Sequence, residues 1–223
     1  SALVLERELR PALAESQLAV VYQPAYAADG TSRTVEALLR WHHPERGTIF
    51  PIEFLPVAEE SGLVLEIGEW VLAAACRQAQ AWNAGRPEPV AVTVNLSRRE
   101  LLDARLCARV DAALTGSGLE PGLLELEVTE NIILADLERA AENIHCLKAL
   151  GVRVAIDDFG RGYASLSYLK TLPVDGIKID REFIRQLEHE SKDQIIAESV
   201  IAMAHNLRLK VVAGGVETRA QLD

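Results

Sequence analysis

The chain has 223 residues and a formal net charge of -10, with 49% hydrophobic and 25% charged residues. This is the balance of a globular chain able to bury a sizeable core as one domain over residues 1–223. The excess of acid argues against a broad electrostatic grip on DNA or RNA, and no apolar run reaches the length of a membrane span. An anionic ligand stays compatible with such a chain where a bound cation inverts the local field. Three widely spaced cysteines, Cys76, Cys107 and Cys146, read as small helix residues with reduced thiols in a cytoplasmic setting.

Taken in order, the chain opens on a helical pattern over residues 4–13. Short β-branched apolar runs follow at 18–22, 34–39, 90–95, 123–128, 152–156, 176–179 and 210–213. Helical patterns fall between most of them, at 51–60, 67–84, 98–114, 135–150, 165–171 and 194–207. Near-continuous apolar strands alternating with helices predict a parallel sheet covered by helices. Ser97-Arg98-Arg99-Glu100 and Thr218-Arg219-Ala220-Gln221 are capping boxes that start helices, and Gly85, Gly116 and Gly151 sit where helices stop.

One junction differs. Residues 25–33, with Asp29-Gly30, leave no room for a crossover helix, so the first two strands form an antiparallel hairpin. The fold class expected is α/β, a (β/α) TIM-like barrel with an antiparallel first strand. A closed barrel of this kind has about eight strands. The missing last strand is placed beyond Asp223, so the domain reads as truncated at its C-terminal end.

In such a barrel the chemistry sits at the C-terminal ends of the strands. Glu36 and Arg40 lie on the second predicted strand, Asn95 ends the third, and Glu127 and Glu130 follow on the fourth. Asp157-Asp158 end the fifth, Lys178 and Asp180 lie on the sixth, and Glu217 follows Gly214-Gly215 after the seventh. Carboxylates and an amide converging on one mouth repel each other unless a cation neutralises them, and hard oxygen donors suit Mg²⁺ or Mn²⁺. Adjacent Asp157 and Asp158 allow two ions about 3.5–4 Å apart, a spacing that suits in-line attack of water on phosphorus. Lys178 suits orienting that water or neutralising developing charge, and Arg40 suits a phosphate oxygen. The five histidines show no HExxH or paired metal-ligand spacing.

At this point the residues resemble a known family. Glu36-Ala37-Leu38-Leu39-Arg40-Trp41 is similar to the signature of EAL domains, the cyclic di-GMP phosphodiesterases and their degenerate relatives. Tyr22-Gln23-Pro24, Asn95-Leu96-Ser97, Glu127-Val128-Thr129-Glu130, Asp157-Asp158-Phe159-Gly160 and Lys178-Ile179-Asp180 appear in family order. The resemblance implies Mg²⁺- or Mn²⁺-dependent hydrolysis of cyclic di-GMP to linear pGpG. It implies that Glu36, Asn95, Glu127 and Asp157 ligate one ion, and that Asp157 and Asp158 serve a second. Lys178 would contact the nucleophilic water, and Gln23, Leu38 and Arg40 would contact the dinucleotide. Glu130 would brace the loop after the fifth predicted strand, residues 158–166, through which the family dimerises. Family habit also places regulatory domains outside this fragment.

The chain departs from the family pattern where the seventh strand ends. The family's A-E-G-V-E is Ala213-Gly214-Gly215-Val216-Glu217 here, so Gly214 stands where a glutamate serves as general base or second-metal ligand. Glu217 is kept, and counts with Lys178 and Glu130 as a catalytic candidate. Arg161 and Ala164 replace the usual Thr or Ser in the fifth-strand loop. The expectation is therefore a phosphodiesterase domain impaired at Gly214, the alternative being a module that binds and senses cyclic di-GMP without cutting it.

Overall fold

The structure is a computed structural model that describes residues 2–27, 30–160, 166–186, 191–218 and 221. They fall into two compact units, residues 1–125 and 126–223.

The first unit begins with α1 (Ala2–Ala12), β1 (Leu18–Ala25), β2 (Thr34–His43), β3 (Gly47–Ile49), α2 (Pro51–Ser61) and α3 (Val64–Asn83). It continues with β4 (Ala91–Asn95), α4 (Arg98–Leu101) and α5 (Leu106–Ser117). β1 runs antiparallel to β2 from Leu18↔Trp41 to Ala25↔Thr34, as the short 25–33 connection requires. β4 lies parallel to β2, from Thr34↔Ala91 to Ala37↔Val94, and β3 returns antiparallel on β2 at Trp41↔Ile49. Buried Trp41, Phe54, Leu72, Val92, Leu101 and Leu106 form its core. Trp41 meets the ring of Phe54 edge-on at 5.7 Å and donates its indole N–H to Gln17 Oε1 at 3.0 Å, which satisfies its one polar atom.

The Ser97 capping box holds. Glu100 Oε2 accepts from the Ser97 N–H at 2.9 Å and from its hydroxyl at 2.5 Å, while Ser97 Oγ accepts from the Glu100 N–H. Glu100 is buried against α3, where a Cβ on Gly68 would lie 1.8 Å from Glu100 Oε1, so only glycine leaves room for the carboxyl. Burial raises the Glu100 pKa above the usual carboxylate range, partly offset by the Ser97 hydrogen bonds.

The second unit is entered along β5 (Leu124–Thr129) and holds α6 (Glu130–Ala135), α7 (Leu137–Ala149), β6 (Arg153–Phe159) and β7 (Gly176–Ile179). α8 (Arg181–Gln186), α9 (Ser191–Asn206) and β8 (Lys210–Ala213) follow. β6, β7 and β8 are parallel in that order, from Ala155↔Gly176 and from Gly176↔Lys210. Leu126, Ile133, Ile144, Leu147, Val154 and Ile156 are buried. Lys148 pairs with Asp175 at 2.6 Å, and Asp175 also accepts the Val154 N–H at 2.8 Å, which ties the end of α7 to the start of β7.

Several expectations are corrected. A three-residue strand, β3, and a one-and-a-half-turn helix, α8, join the elements read from sequence. The helix expected over 98–114 breaks between α4 and α5, where Asp103 Oδ1 accepts the Arg105 N–H, a local turn that competes with the helix. Its stop is Gly118, at φ 72°, rather than Gly116. Cys107 and Cys146 are disulfide-bonded rather than reduced. Cys76 is a free thiol buried on α3, and burial pushes its pKa up to about 11. Among the described residues no helix is long and apolar enough to cross a membrane.

Candidate functional site

In the first unit, β2 presents Glu36, Leu38 and Arg40 on the face opposite buried Ala37, Leu39 and Trp41, because side chains alternate along a strand. The β1–β2 register sets Gln23 opposite Glu36, Val21 opposite Leu38 and Ala19 opposite Arg40. Asn95, at the end of β4, donates its amide N–H to Glu36 Oε1 at 2.8 Å. That leaves the Asn95 carbonyl oxygen beside a carboxylate, two hard oxygen donors of the kind a divalent cation takes. Arg40 donates to the carbonyl of Leu39 at 2.8 Å, and its guanidinium lies 5.1 Å above the ring of Phe50.

In the second unit, Lys178 of β7 donates to Glu127 Oε2 of β5 at 2.9 Å and stands 3.7 Å from Asp157 Oδ2 of β6. Three strands thus bring one cation and two carboxylates together. Lys178 is 17% exposed and Glu127 7%, so the pair is largely shielded from solvent and from salt.

Asp157 and Asp158 sit where the β6–β7 ladder shifts register, between Ile156↔Ile177 and Phe159↔Ile179. Asp158 takes φ 53°, and Asp157 Oδ1 accepts the Asp158 N–H at 2.8 Å. A bulge of this kind re-aims side chains at a strand end, and a non-glycine residue held in the left-handed region is costly unless its surroundings enforce it.

Glu130, at the start of α6, is buried. It accepts the Tyr168 hydroxyl at 3.1 Å and the Gly160 N–H at 3.4 Å, so it braces both flanks of the 161–165 segment, which lies outside the described residues. Arg161 and Ala164 fall in that segment. Burial first, and then the charge and hydrogen bond of Glu130, hold the Tyr168 phenol well above its ordinary range, so it stays a donor. Nothing in the sequence pattern singled out Tyr168.

Two strand-end acids are used differently. Asp180 is buried and accepts the Glu182 N–H at 2.7 Å, which caps α8. Glu217 is exposed, and its N–H donates to Gln221 Oε1 at 2.7 Å within the Thr218 capping box. Gly214 follows β8 and donates its N–H to Ile179 O at 3.2 Å. A Cβ there would meet only that oxygen, at 3.5 Å, so position 214 has room for a side chain. Gly215, at φ 77°, does not, since a Cβ would lie 2.8 Å from the Arg181 Cβ. Among the described residues no group of three or more His, Cys, Asp or Glu is gathered tightly enough to hold a metal ion by itself.

The EAL domain family model matches residues 6–223 of the chain. The chain is 47% identical over 222 residues to the bifunctional diguanylate cyclase/cyclic di-GMP phosphodiesterase MucR of Pseudomonas aeruginosa, covering 99% of this chain and 32% of that protein. It is 43% identical over 221 residues to the cyclic di-GMP phosphodiesterase NbdA of the same organism, covering 99% and 28%. The chain therefore spans about a third of the length of these curated relatives. The solved PaMucR phosphodiesterase–c-di-GMP complex aligns with a TM-score of 0.94 at 47% identity, over 98% of this chain and 89% of that one. This agreement bears out the expected α/β class, a (β/α) barrel with its first strand antiparallel.

Proposed function

The chain belongs to the EAL domain family, and from that premise we propose that it is a cyclic di-GMP phosphodiesterase domain. It would hydrolyse cyclic di-GMP to linear pGpG with Mg²⁺ or Mn²⁺, at a rate lowered by Gly214. The observation that carries this reading is the placement of Lys178 between Glu127 and Asp157, at 2.9 and 3.7 Å. A cation that deep among carboxylates is held for charge work and is poorly placed for surface solubility. The likeness to a phosphodiesterase solved with c-di-GMP supports the substrate.

In this reading Glu36, Asn95, Glu127 and Asp157 hold one divalent ion, with Asp157 and Asp158 serving a second. Their donor atoms are all oxygen, which fits Mg²⁺ or Mn²⁺ and does not fit a soft metal. The ions supply charge stabilisation and an activated water when bound. The protein's own groups do the rest. Gln23, Leu38 and Arg40 bind the dinucleotide, and Lys178 orients the attacking water and neutralises charge as it develops on phosphorus. Glu130 holds the loop that follows Asp157-Asp158, and Glu217 is the remaining catalytic carboxylate. Gly214 has no side chain to accept a proton or hold the second ion, and loss of a positioned base costs about 10²–10⁴-fold in rate.

The reading extends to residues 1–223 as one EAL-type domain, to a homodimer formed through the loop after β6, and to regulatory domains elsewhere in a longer protein. The length of the curated relatives supports the last of these. A cytoplasmic setting belongs to the same proposal, and the bonded Cys107 and Cys146 count against it.

Gly214 itself favours a second reading, a module that binds cyclic di-GMP and senses it without cutting. Chromatography of cyclic di-GMP incubated with this chain, with Mn²⁺ or Mg²⁺ and with chelator, separates the two. Metal-dependent appearance of pGpG supports the enzyme. Tight binding without product supports the sensor. Neither binding nor product removes both.

A further inference from the structure

Arg40 has a small strand neighbour on one side and an aromatic one on the other. On the β1 side its register partner is Ala19. On the other side the β2–β3 hairpin pairs His43↔Gly47, His42↔Thr48 and Trp41↔Ile49. The same register carried one step further sets Phe50 opposite Arg40. The guanidinium carbon lies 5.1 Å from the Phe50 ring centroid, within cation–π range.

The position of Phe50 is itself fixed. It precedes Pro51, which favours an extended backbone, and takes φ -87° and ψ 153°. Its N–H donates to Glu53 Oε1 at 3.3 Å at the start of α2. Phe50 is nevertheless 50% exposed, so core packing alone does not account for its place. With one N–H bound to Leu39 O and one face on the ring, Arg40 keeps the rest of its planar fork for a ligand. Among the described residues no carboxylate pairs with it.

We propose that Phe50 is a positioning residue for ligand binding, a fixed aromatic platform that holds the Arg40 guanidinium ready for a phosphate of the bound dinucleotide. This rests on the reading of the chain as a cyclic di-GMP binder. Holding the fork in place removes part of the ordering cost of binding, so Phe50 contributes affinity through Arg40 without any contact of its own.

The test is isothermal titration of cyclic di-GMP into the chain in Mg²⁺ buffer, completed before appreciable pGpG forms. The variants are Phe50→Ala, Phe50→Leu, Phe50→Tyr, Arg40→Ala and the Phe50→Ala/Arg40→Ala pair. Phe50→Ala raises Kd about 2- to 5-fold. Phe50→Leu, which keeps apolar bulk and loses the ring, does the same, and Phe50→Tyr restores the original affinity. In the Arg40→Ala background Phe50→Ala changes nothing further. An equal loss in both backgrounds, or no loss in either, overturns the inference while leaving the binding reading intact. A chain that binds no cyclic di-GMP at all overturns that reading and this inference with it.

Discussion

Lys178 reaches Glu127 at 2.9 Å with both side chains largely shielded, and the two lie on separate strands, β7 and β5. A buried pair is costly to break from one side, because the remaining partner is left as an uncompensated charge. The proposed chemistry asks more of Lys178 than of an ordinary ion pair. Lys178→Met is expected to lower pGpG formation by about 10²-fold or more, with cyclic di-GMP affinity changed by much less. Single-turnover chromatography alongside titration calorimetry reads both quantities. Equal losses in rate and affinity would make Lys178 a structural cation.

The strands carrying these residues were legible because each is a short β-branched run, and the reversed first strand because residues 25–33 cannot hold a crossover helix. β3 was not legible, since Gly47-Thr48-Ile49 is too short to show a period. α8 was missed because it starts directly after β7 and is capped by Asp180, a residue whose type and place suggested the mouth instead. The candidate acids could be named from residue type at strand ends. Their partners could not. Tyr168 on Glu130 and Phe50 on Arg40 are contacts made by packing and register, which no local pattern announces.

Tyr168 offers a direct check on the brace. Its hydroxyl donates to the buried Glu130 carboxylate, which also accepts the Gly160 N–H. Tyr168→Phe removes one donor and leaves Glu130 under-satisfied, a cost of about 1–3 kcal/mol. A lower melting temperature together with faster amide exchange at Gly160 is the expected result. An unchanged exchange rate would separate Tyr168 from the loop.

Glu100 gives a pH dependence with a definite sign. Burial raises its carboxyl above the ordinary value of 4.5, so the folded state holds this proton more tightly than the unfolded state. Stability from this group is fully present below the unfolded value and falls as pH climbs through the raised one. Glu100→Gln keeps a residue able to close the capping box and cannot ionise. The melting temperature of the parent minus that of the variant should decline as pH rises above about 4.5. Asp103 is shifted the opposite way and is present in both proteins, so the difference isolates Glu100. A flat difference would mean that the carboxyl is hydrated.

Gly68 answers to the same side chain. A methyl group there would overlap Glu100 Oε1, and that carboxyl is tethered by Ser97 and cannot swing aside freely. Gly68→Ala is expected to cost about 1–3 kcal/mol by overpacking, against the gain alanine normally brings to a helix interior. Denaturant unfolding measures it, and stabilisation would show that Glu100 has another place to go.

Gly214 is the position on which the proposed function turns, and the backbone there accepts a side chain. A Cβ meets only Ile179 O, at ordinary van der Waals distance, whereas the next residue, Gly215, has neither the space nor the φ for a side chain. Gly214→Glu should therefore fold normally and raise pGpG formation by about 10²–10⁴-fold, the usual worth of a positioned base, with little change in cyclic di-GMP affinity. Gly215→Glu is the control and should destabilise the fold instead. If Gly214→Glu folds, binds and cuts no faster than the parent, the glutamate role assigned to position 214 is wrong, and the slow step lies elsewhere in the site.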